Sequence, residues 1–521
     1  MPALPLGPIA DNAAATPDAV ALVDAGGERT WAQVATEITA AASALLNGAP
    51  LPADRWGVLG DNVAPTLIAH AAGLLAGVGT VALSRQLTLP ELSDQVQDAG
   101  IVALIAGPAG ASTAVAALDA GLVHTVVLHS GASVAGTHAG LITWDAWIAA
   151  APARDDFPVR PACPVMVYTS GTTGRARGTQ TRWVLAPAET HLEFLDLLRA
   201  RAAYPEGAHL VVGPLQHNGP LTAVRHLLFG RPVVVVGKFD AAEVLALIER
   251  YGVASTVMVP THFSRLLALP EADRARADVS TMALVAHTGS ACPPDVKRAM
   301  IDWFGPVLLE SYGGSESGTL CRITSSEWLQ HPGSVGRVVE PFRLVVVDEE
   351  GNELGVGQTG VLAFEAPEGY GVTYHNDPEK TAKAYVRPGA FTLGDMGHVD
   401  ENGFVFITDR LSDMVVSGGV NLYPSESEQV LRTHPGVADV AVVGIPHPDL
   451  GEQLLAIVVP ADPAAPPSAD DLQVFCRDRL SSYKIPRRYE YVAELPRNEM
   501  QKVDKKALRK PYWAGDRTIA G

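Results

Sequence analysis

Short apolar runs that alternate with helix-like stretches are the feature that most restricts the fold of this chain. Val233 to Val236, Ser255 to Val259 and Ala283 to Ala286 are strand-like, and residues 241–252 have the apolar spacing of an amphipathic helix. Strands separated by helices pair in parallel, because a parallel connection must cross back over the sheet. The pattern therefore predicts an α/β fold built from parallel βα layers.

The pattern changes twice further along the chain. From about Val335 the apolar runs become shorter, with turn sequences at 348–353 and 400–403, which predicts a small antiparallel, barrel-like section. After Arg410 a smaller α+β module begins, with a strand at 437–445. We therefore place the domain boundary at Arg410, which gives an N-terminal domain at 1–410 and a C-terminal domain at 411–521.

The charge balance argues against nucleic acid as a partner. The 521 residues include 39 Lys and Arg against 57 Asp and Glu, a formal net charge of −18. Non-specific affinity for nucleic acid comes mainly from Lys and Arg that neutralise phosphates. The stretch from Arg477 to Arg517 is an exception, with twelve Lys and Arg against six Asp and Glu. A solvated, mixed-charge surface explains such a stretch from charge alone.

The sequence also favours a reduced, cytoplasmic compartment. Its four cysteines have no CxxC spacing and suggest neither a disulfide framework nor a zinc site. The first twenty residues lack the basic and apolar regions of a secretory signal. An uncharged run at 62–84 is long enough to span a membrane, but Gly77 and Gly79 interrupt it. We expect a buried helix, a turn and a strand there, and no integral membrane segment.

The segment from Tyr168 to Gly178, YTSGTTGRARG, is the sharpest local signal. It follows an apolar strand, and its backbone N–H and hydroxyl groups are suited to surround phosphate oxygens, with Arg175 or Arg177 supplying positive charge. It is not a Walker A loop, because the GK[ST] triplet is absent. Composition alone leaves a phosphate-binding loop and an ordinary surface loop equally open.

The order of residues in this segment closely resembles the phosphate-binding signature of the adenylate-forming superfamily, which includes acyl-CoA and aryl-CoA ligases, peptide-synthetase adenylation domains and luciferases. Further motifs of that family follow in its order, over almost all of the chain beyond about residue 165. They are PLQHNGP with His217, His287 to Pro293, Glu310 to Glu316, Gly394-Asp395, Asp409 to Asp413, Ser417 to Pro424 and Leu495 to Lys502.

The resemblance implies ATP, Mg²⁺ and coenzyme A as cofactors, and it assigns residues to each. Tyr312 matches the aromatic residue stacked on adenine, Glu316 the metal-binding carboxylate, and Asp395 the acceptor of ribose hydroxyls, while Arg410 contacts ribose or phosphate. Gly418 and Gly419 match the segment along which a pantetheine thiol approaches. The remaining expected ligand-binding positions are Thr169, Ser170, Gly171, Thr172, Thr173, Gly174, Gly289, Ser290, Glu310, Ser311, Gly313, Gly314 and Ser315.

Three residues are expected to act in catalysis. Lys502 matches the lysine that a closing C-terminal domain delivers between the carboxylate and the α-phosphate, Arg177 supplies charge in the phosphate loop, and His217 lies at the substrate pocket. Four positions depart from the family pattern: Ala176 and Arg177 replace Pro-Lys, Ser412 stands at the hinge position where Asp or Lys is common, and Gln501 replaces the glycine before the lysine. None removes a reacting group. We hypothesise that this chain forms the adenylate well and the thioester less efficiently.

The function expected from the resemblance is an ATP-dependent acyl-CoA ligase that releases AMP and pyrophosphate by way of an acyl-adenylate. Gly219, Ala286, Gly289 and the Gly313-Gly314 pair predict a wide or long apolar cavity, which favours an alkyl or polycyclic acid. An aryl acid, transfer to a separate carrier protein or enzyme, a non-catalytic nucleotide-binding protein and a homodimer remain open. A serine hydrolase is disfavoured, since GGSES has serine where the second glycine of a nucleophile elbow belongs.

Overall fold

The computed structural model describes residues 3–49, 51–154, 156–169, 177–200, 204–348, 350–410, 413–417, 420–448, 450–477, 479–498 and 501–513, with the backbone alone at 169, 420 and 421. The elements up to residue 150 are α1 (Pro8–Ala15), β1 (Val20–Asp24), β2 (Gly27–Thr30), α2 (Trp31–Gly48), β3 (Arg55–Leu59), α3 (Ala64–Ala76), β4 (Gly79–Leu83), α4 (Leu89–Ala99), β5 (Ile101–Ala106), α5 (Ala111–Asp119), β6 (Thr125–Leu128), β7 (Leu141–Thr143) and α6 (Trp144–Ala149).

The second part of the N-terminal region runs to residue 330. Its elements are β8 (Met166–Thr169), β9 (Arg177–Gln180), α7 (His191–Ala200), β10 (Ala208–Val211), α8 (Asn218–Leu221), α9 (Ala223–Leu228), β11 (Val233–Val235), α10 (Ala241–Tyr251), β12 (Val253–Met258), α11 (Pro260–Leu267), α12 (Glu271–Arg276), β13 (Leu284–His287), α13 (Pro294–Phe304), β14 (Leu308–Gly314), β15 (Gly318–Thr324) and α14 (Ser325–Gln330).

The remaining elements are shorter strands and a few helices. They are β16 (Arg337–Val338), β17 (Arg343–Val347), β18 (Gly360–Glu365), α15 (Pro378–Lys383), β19 (Tyr385–Arg387), β20 (Ala390–Val399), β21 (Val405–Arg410), β22 (Val415–Ser417), β23 (Val420–Leu422), α16 (Pro424–Arg432), β24 (Val437–His447), β25 (Gly451–Pro460), α17 (Ala469–Arg477), β26 (Arg488–Tyr491) and α18 (Lys505–Arg509).

Two large sheets form the first 340 residues. One has the order β16-β15-β14-β13-β12-β10-β11-β1-β2 and is parallel from β1 to β14 across its centre, while the other has the order β7-β6-β5-β3-β4-β8-β9. Helices α2, α3 and α9 fill the space between the sheets with a single apolar cluster. In open parallel sheets of this kind, ligands bind at the carboxyl ends of the strands.

Two smaller sheets follow. Strands β17, β18, β20, β19 and β21 pair antiparallel, and β23-β22-β25-β24 with β26 form the sheet of the C-terminal module. The predicted α/β class, with an antiparallel section and a small α+β module, is confirmed. The uncharged run is also as predicted, because α3 is buried along its whole length and ends at Gly77 (φ 65°) before β4. No helix of the described residues has the length and apolar character to cross a membrane.

Candidate active site

The residues singled out in the sequence meet at the carboxyl ends of the central strands of the nine-stranded sheet. His217 follows β10 and is the N-cap of α8, Gly289 follows β13 with a φ of 94°, and Tyr312 lies near the end of β14. A φ of this sign is costly for residues with a Cβ, so glycine allows the turn after β13. The sheet therefore brings three of the predicted segments to one edge.

Asp395 is a buried carboxylate held between two donors from different elements. The Tyr312 hydroxyl donates to its Oδ2 at 2.6 Å, and Arg410 Nε lies 3.3 Å from its Oδ1, because β20 and β21 pair these two residues across the strands. Burial raises the pKa of Asp395, while Arg410, the Tyr312 hydroxyl and Lys502 act in the opposite direction. The Arg410 side chain is 60% exposed, against 8% for that of Asp395, so the guanidinium is open to an incoming ligand.

Lys502 reaches this site from the C-terminal module. Its Cε lies 3.6 Å from the position that a Cβ on Gly289 would occupy, and its backbone N–H donates to Asn498 Oδ1 at 3.0 Å. Burial and the neighbouring Arg410 lower the pKa of Lys502, while Asp395 and Glu316 raise it. The Lys502 side chain therefore lies at the junction of the two regions, with two carboxylates close enough to influence its pKa.

Glu316 is held over the turn at the end of β14. Tyr374 donates from its hydroxyl to Glu316 Oε1 at 3.0 Å, and a Cβ on Gly314 would lie 2.7 Å from Oε2. Gly314 is therefore required for this position of the carboxylate. Lys380 Nζ lies 3.9 Å from the centroid of the Tyr374 ring, and burial lowers the pKa of this lysine.

The donor set fits a magnesium ion bound together with phosphates. Mg²⁺ is usually held by one or two carboxylates, with the remaining ligands from substrate phosphates and water. Glu316 is such a carboxylate, and its other neighbours are a hydroxyl and a lysine rather than further acids. Among the described residues, no group of three His, Cys, Asp or Glu side chains converges on a common point.

Arg177 has a partner that the sequence did not reveal. Its Nε donates to Asp377, which also caps α15 by accepting from Lys380 N at 2.9 Å. The arginine predicted to supply charge in the phosphate loop is thus fixed by a carboxylate two hundred residues away. The loop itself, Ser170 to Ala176, lies outside the described residues, as do the Thr169 side chain and the glycines Gly418 and Gly419.

Glu310 is engaged within the domain. Its Oε2 lies 2.5 Å from Lys297 Nζ and 3.7 Å from His287 Nε2, and all three residues are buried. Burial raises the pKa of Glu310, and the ammonium of Lys297 opposes that shift. Glu310, expected at a ligand-binding position, therefore has its carboxylate in an internal ion pair, while its backbone lies in the sheet between β13 and β15. Of the other expected positions, Gly289, Ser311, Gly313 and Ser315 are partly exposed, and Ser290 is exposed.

An apolar cleft reaches the middle of the nine-stranded sheet. On the face towards α8, five side chains of β12, β13 and β14 are only half-buried, although these strands are central. The register places them side by side. We call them the cleft floor: Val257, Leu284, Ala286, Leu309 and Ser311.

Helix α8 forms one wall of this cleft. A Cβ on Gly219 would lie 3.4 Å from Val257 Cγ1 and 4.0 Å from Thr288 Cγ2, so the helix closely approaches the cleft floor. Trp183 Nε1 donates to Asn218 Oδ1 at 2.9 Å and fixes the start of the helix beside His217. Beside His217 and Gly289, where the sequence predicts a cavity, the sheet therefore presents half-buried apolar side chains towards α8.

Several of these residues were missed in the sequence. Tyr374, Asp377 and Lys380 lie in a single stretch, YHNDPEK, which contains none of the family motifs. An Asp-Pro pair that opens a helix is the signal that marks Asp377 as a cap. Trp183 carries no signal of this kind, because an aromatic residue after a strand is more often part of the core.

At this sheet edge the half-buried Lys502 lies beside Gly289, with the carboxylates of Asp395 and Glu316 close enough to influence its pKa, and the fold around them is that of an adenylate-forming enzyme. Residues 9–373 match the family described as AMP-binding enzyme, and residues 426–502 match the AMP-binding enzyme C-terminal domain. The chain belongs to this family.

The curated relatives include several acyl-CoA ligases. Feruloyl-CoA synthase of Amycolatopsis sp. is 31% identical over 508 residues, which cover 95% of this chain and 96% of the relative. The medium/long-chain-fatty-acid–CoA ligase FadD8 of Mycobacterium tuberculosis is 32% identical, over 67% of this chain and 61% of the relative. A methyl-dioxo-octahydroindenyl propanoyl:CoA ligase of Rhodococcus jostii is 34% identical, over 66% and 64%.

Solved structures show the same fold along the whole chain. ATP-bound MatB from Rhodopseudomonas palustris superposes with a TM-score of 0.80 at 26% identity, covering 98% of this chain and 99% of that one.

Proposed function

We propose that this chain is an acid–thiol ligase that activates a carboxylic acid with ATP, releases pyrophosphate, and transfers the acyl group to coenzyme A with release of AMP. The observation that carries the proposal is the delivery of Lys502 to Gly289, within electrostatic reach of Asp395 and Glu316. These residues come from three different sheets or loops. Because these residues lie close together at the carboxyl end of the sheet, they support a site for a nucleoside triphosphate and a carboxylic acid.

The first step joins two anions, and the side chains present offset that repulsion. The substrate oxyanion attacks the α-phosphate, and Lys502 supplies positive charge where negative charge accumulates. Arg177 and Arg410 supply further charge at the phosphates, while Asp395 accepts hydrogen bonds from the ribose hydroxyls. Glu316 would hold Mg²⁺, which neutralises phosphate charge when bound. His217 lines the acid side of the site.

The cleft floor supports an alkyl or polycyclic acid. Four of its five side chains are apolar, and a half-buried apolar surface of this kind favours a hydrophobic ligand. Relatives named for a fatty acid and for a bicyclic propanoic acid are consistent with this choice. The relative named for feruloyl-CoA keeps an aryl acid as the second candidate, because it matches along almost the whole chain.

The second step is assigned to the C-terminal domain, which we place at 411–521, with the N-terminal domain at 1–410. Gly418 and Gly419 are proposed to give the coenzyme A thiol access to the adenylate. We also propose a cytoplasmic location for the enzyme. A carrier-protein thiol is the alternative acceptor, and omission of coenzyme A separates the two.

The test is ATP–pyrophosphate exchange with a panel of fatty, steroid-like, terpenoid and aryl acids, each also trapped as its hydroxamate with and without coenzyme A. We expect exchange that depends on the acid and is lost in Lys502→Ala. Thioester formation is expected only with coenzyme A. Absence of exchange with every acid, or full exchange in Lys502→Ala, would contradict the proposal.

A further inference from the structure

A polar cluster inside the N-terminal domain contains three buried polar atoms that have no hydrogen-bond partner among the described residues. They are Tyr204 Oη, His209 Nε2 and Arg225 Nε. The rings of His209 and His226 stack with centroids 3.7 Å apart, those of Tyr204 and His226 are 4.0 Å apart, and the Arg225 guanidinium lies 5.5 Å from the Tyr204 ring. We call these four residues the distal cluster.

The distal cluster lies on the same face of the sheet as the cleft floor. His209 Nδ1 is 2.9 Å from Ser255 Oγ, and the register aligns His209 with Ser255 and Ser255 with Leu284. Ser255 and Val257 are two residues apart on one strand, so their side chains point to the same face. The sheet face that carries the cleft floor therefore continues from Val257 through the buried Ser255 to the buried His209.

Helix α8 and its continuation α9 connect the same two places along the opposite wall. Thr222 between them has helical backbone angles, so Gly219 and His226 lie seven residues apart on one helix face, with the small Ala223 between them. Seven residues of α-helix correspond to about 10 Å. His226 of the distal cluster thus lies about 10 Å along the helix from Gly219, the residue that approaches Val257 of the cleft floor.

The charges in the cluster favour one kind of ligand atom. None of the ion pairs found in the described residues involves Arg225, and the electrostatic influences on its pKa include no carboxylate. Burial lowers the pKa of His209 to about 3 and that of His226 well below its usual value, so both rings are neutral. The Arg225 side chain is half-buried, but its Nε is enclosed without an acceptor in the described part of the chain, and such a donor is costly unless a hydrogen-bond acceptor meets it.

We propose that the distal cluster is a specificity subsite that binds an acceptor oxygen, a ketone or a second carboxylate, at the end of the acid remote from the reacting carboxyl group. The substrate class is then an elongated apolar acid with an oxygen function about 10 Å or more from the helix turn at Gly219. This proposal rests on the proposed function, and it narrows the alkyl and polycyclic acids to those that carry a distal oxygen.

The experiment compares acids that share a skeleton and differ only at the distal end: unsubstituted, ketone and carboxylate. Each is measured twice, as kcat/KM in ATP–pyrophosphate exchange and as binding to the enzyme without ATP by calorimetry. The variants are Arg225→Met and Arg225→Lys. Arg250→Met is the matched control, because Arg250 is an exposed arginine that pairs with Glu28 on the surface.

We expect the wild type to prefer one of the oxygenated acids by about 10-fold or more, consistent with a hydrogen bond to a charged group. Arg225→Met should lose that preference, while its kcat/KM and affinity for the unsubstituted acid stay within about twofold of the wild type. Arg225→Lys should retain part of the preference, and Arg250→Met should retain all of it. The ketone and carboxylate arms identify which oxygen is bound.

Equal affinity of the wild type for all three acids overturns the proposed subsite. It is also overturned if Arg225→Met, with an unchanged melting temperature, loses affinity equally for all three acids. If Arg225→Met does not fold, Arg225→Lys and the wild-type preference decide the matter. If exchange is absent and binding still discriminates, the proposed function fails and the subsite stands.

Discussion

The side-chain oxygen of Gln501 accepts a hydrogen bond from Arg265 Nη2 at 2.9 Å, and this bond ties the residue before Lys502 to helix α11 of the N-terminal region. Gln501 has a φ of 60°, in the left-handed region that glycine adopts most easily. Arg497 Nη1 donates to the Gln501 carbonyl at 2.6 Å. The residue that departs from the family pattern thus makes a contact that glycine lacks.

Arg265→Ala and Gln501→Ala are each expected to lower the rate of ATP–pyrophosphate exchange by about 2-fold to 10-fold, since a typical hydrogen bond contributes about 0.5–1.5 kcal/mol. Both changes remove the same bond, so the double variant should be no slower than either single one. A double-mutant cycle measures this coupling. Additive losses would show that the two residues act separately.

Gln501→Gly separates the bond from the backbone strain. A non-glycine residue in the left-handed region costs about 1 kcal/mol, and glycine removes that cost. We expect Gln501→Gly to have the exchange defect of Gln501→Ala with a melting temperature no lower than that of the wild type. A lower melting temperature in Gln501→Gly than in Gln501→Ala would refute the strain argument.

Glu316→Gln is expected to raise the Mg²⁺ concentration for half-maximal exchange by about 10-fold or more, because it removes the carboxylate suited to the metal. Tyr374→Phe should raise it less, since it removes only the hydroxyl that orients Glu316. Glu379→Gln is the control, an exposed acid in the same region. A magnesium titration checks all three, and an unchanged requirement in Glu316→Gln would exclude this residue as a ligand.

The pH profile of exchange is predicted from the electrostatics around Arg410. This cation lowers the pKa of Asp395 and also lowers the pKa of Lys502. Asp395 must be ionised and Lys502 protonated, so activity rises through the first pKa and falls through the second. Arg410→Ala raises both, and we expect both limbs of kcat/KM for ATP to move to higher pH. Movement of the two limbs in opposite directions would contradict this arrangement.

The sequence predicted the fold well wherever a local pattern determines it. The run at 62–84 contains its own stop signals at Gly77 and Gly79, and α3 and β4 form as expected. The antiparallel section after Val335 also follows from short alternating runs between turns. Periodicity and turn chemistry act over a few residues, so they can be read without knowledge of the tertiary structure.

Contacts between distant segments were beyond that kind of reasoning. Arg177 pairs with Asp377 and Gln501 with Arg265, and in both cases the two residues are 200 or more positions apart. No pattern near either residue in the sequence indicates such a partner. Glu310 shows the same limit, since a motif residue expected at the cofactor has its carboxylate inside the domain, paired with Lys297. Which face of a strand a side chain occupies depends on packing with elements far away in the chain.

The ion pair between Lys297 and Glu310 predicts an effect on stability that distinguishes a structural carboxylate from a ligand-binding one. Lys297→Met leaves a buried charge unpaired, which costs about 3–5 kcal/mol, and replacing both partners by apolar residues should recover much of that loss. Denaturant unfolding of Lys297→Met, Glu310→Leu and the double variant measures this.

Because Lys297 opposes the upward shift that burial gives the pKa of Glu310, its loss raises that pKa further. A protonated Glu310 is neutral, so Lys297→Met should be destabilised less at low pH and more as pH rises through the raised pKa. A stability loss independent of pH, or a double variant as unstable as Lys297→Met, would show that the pair is not what holds Glu310 in place.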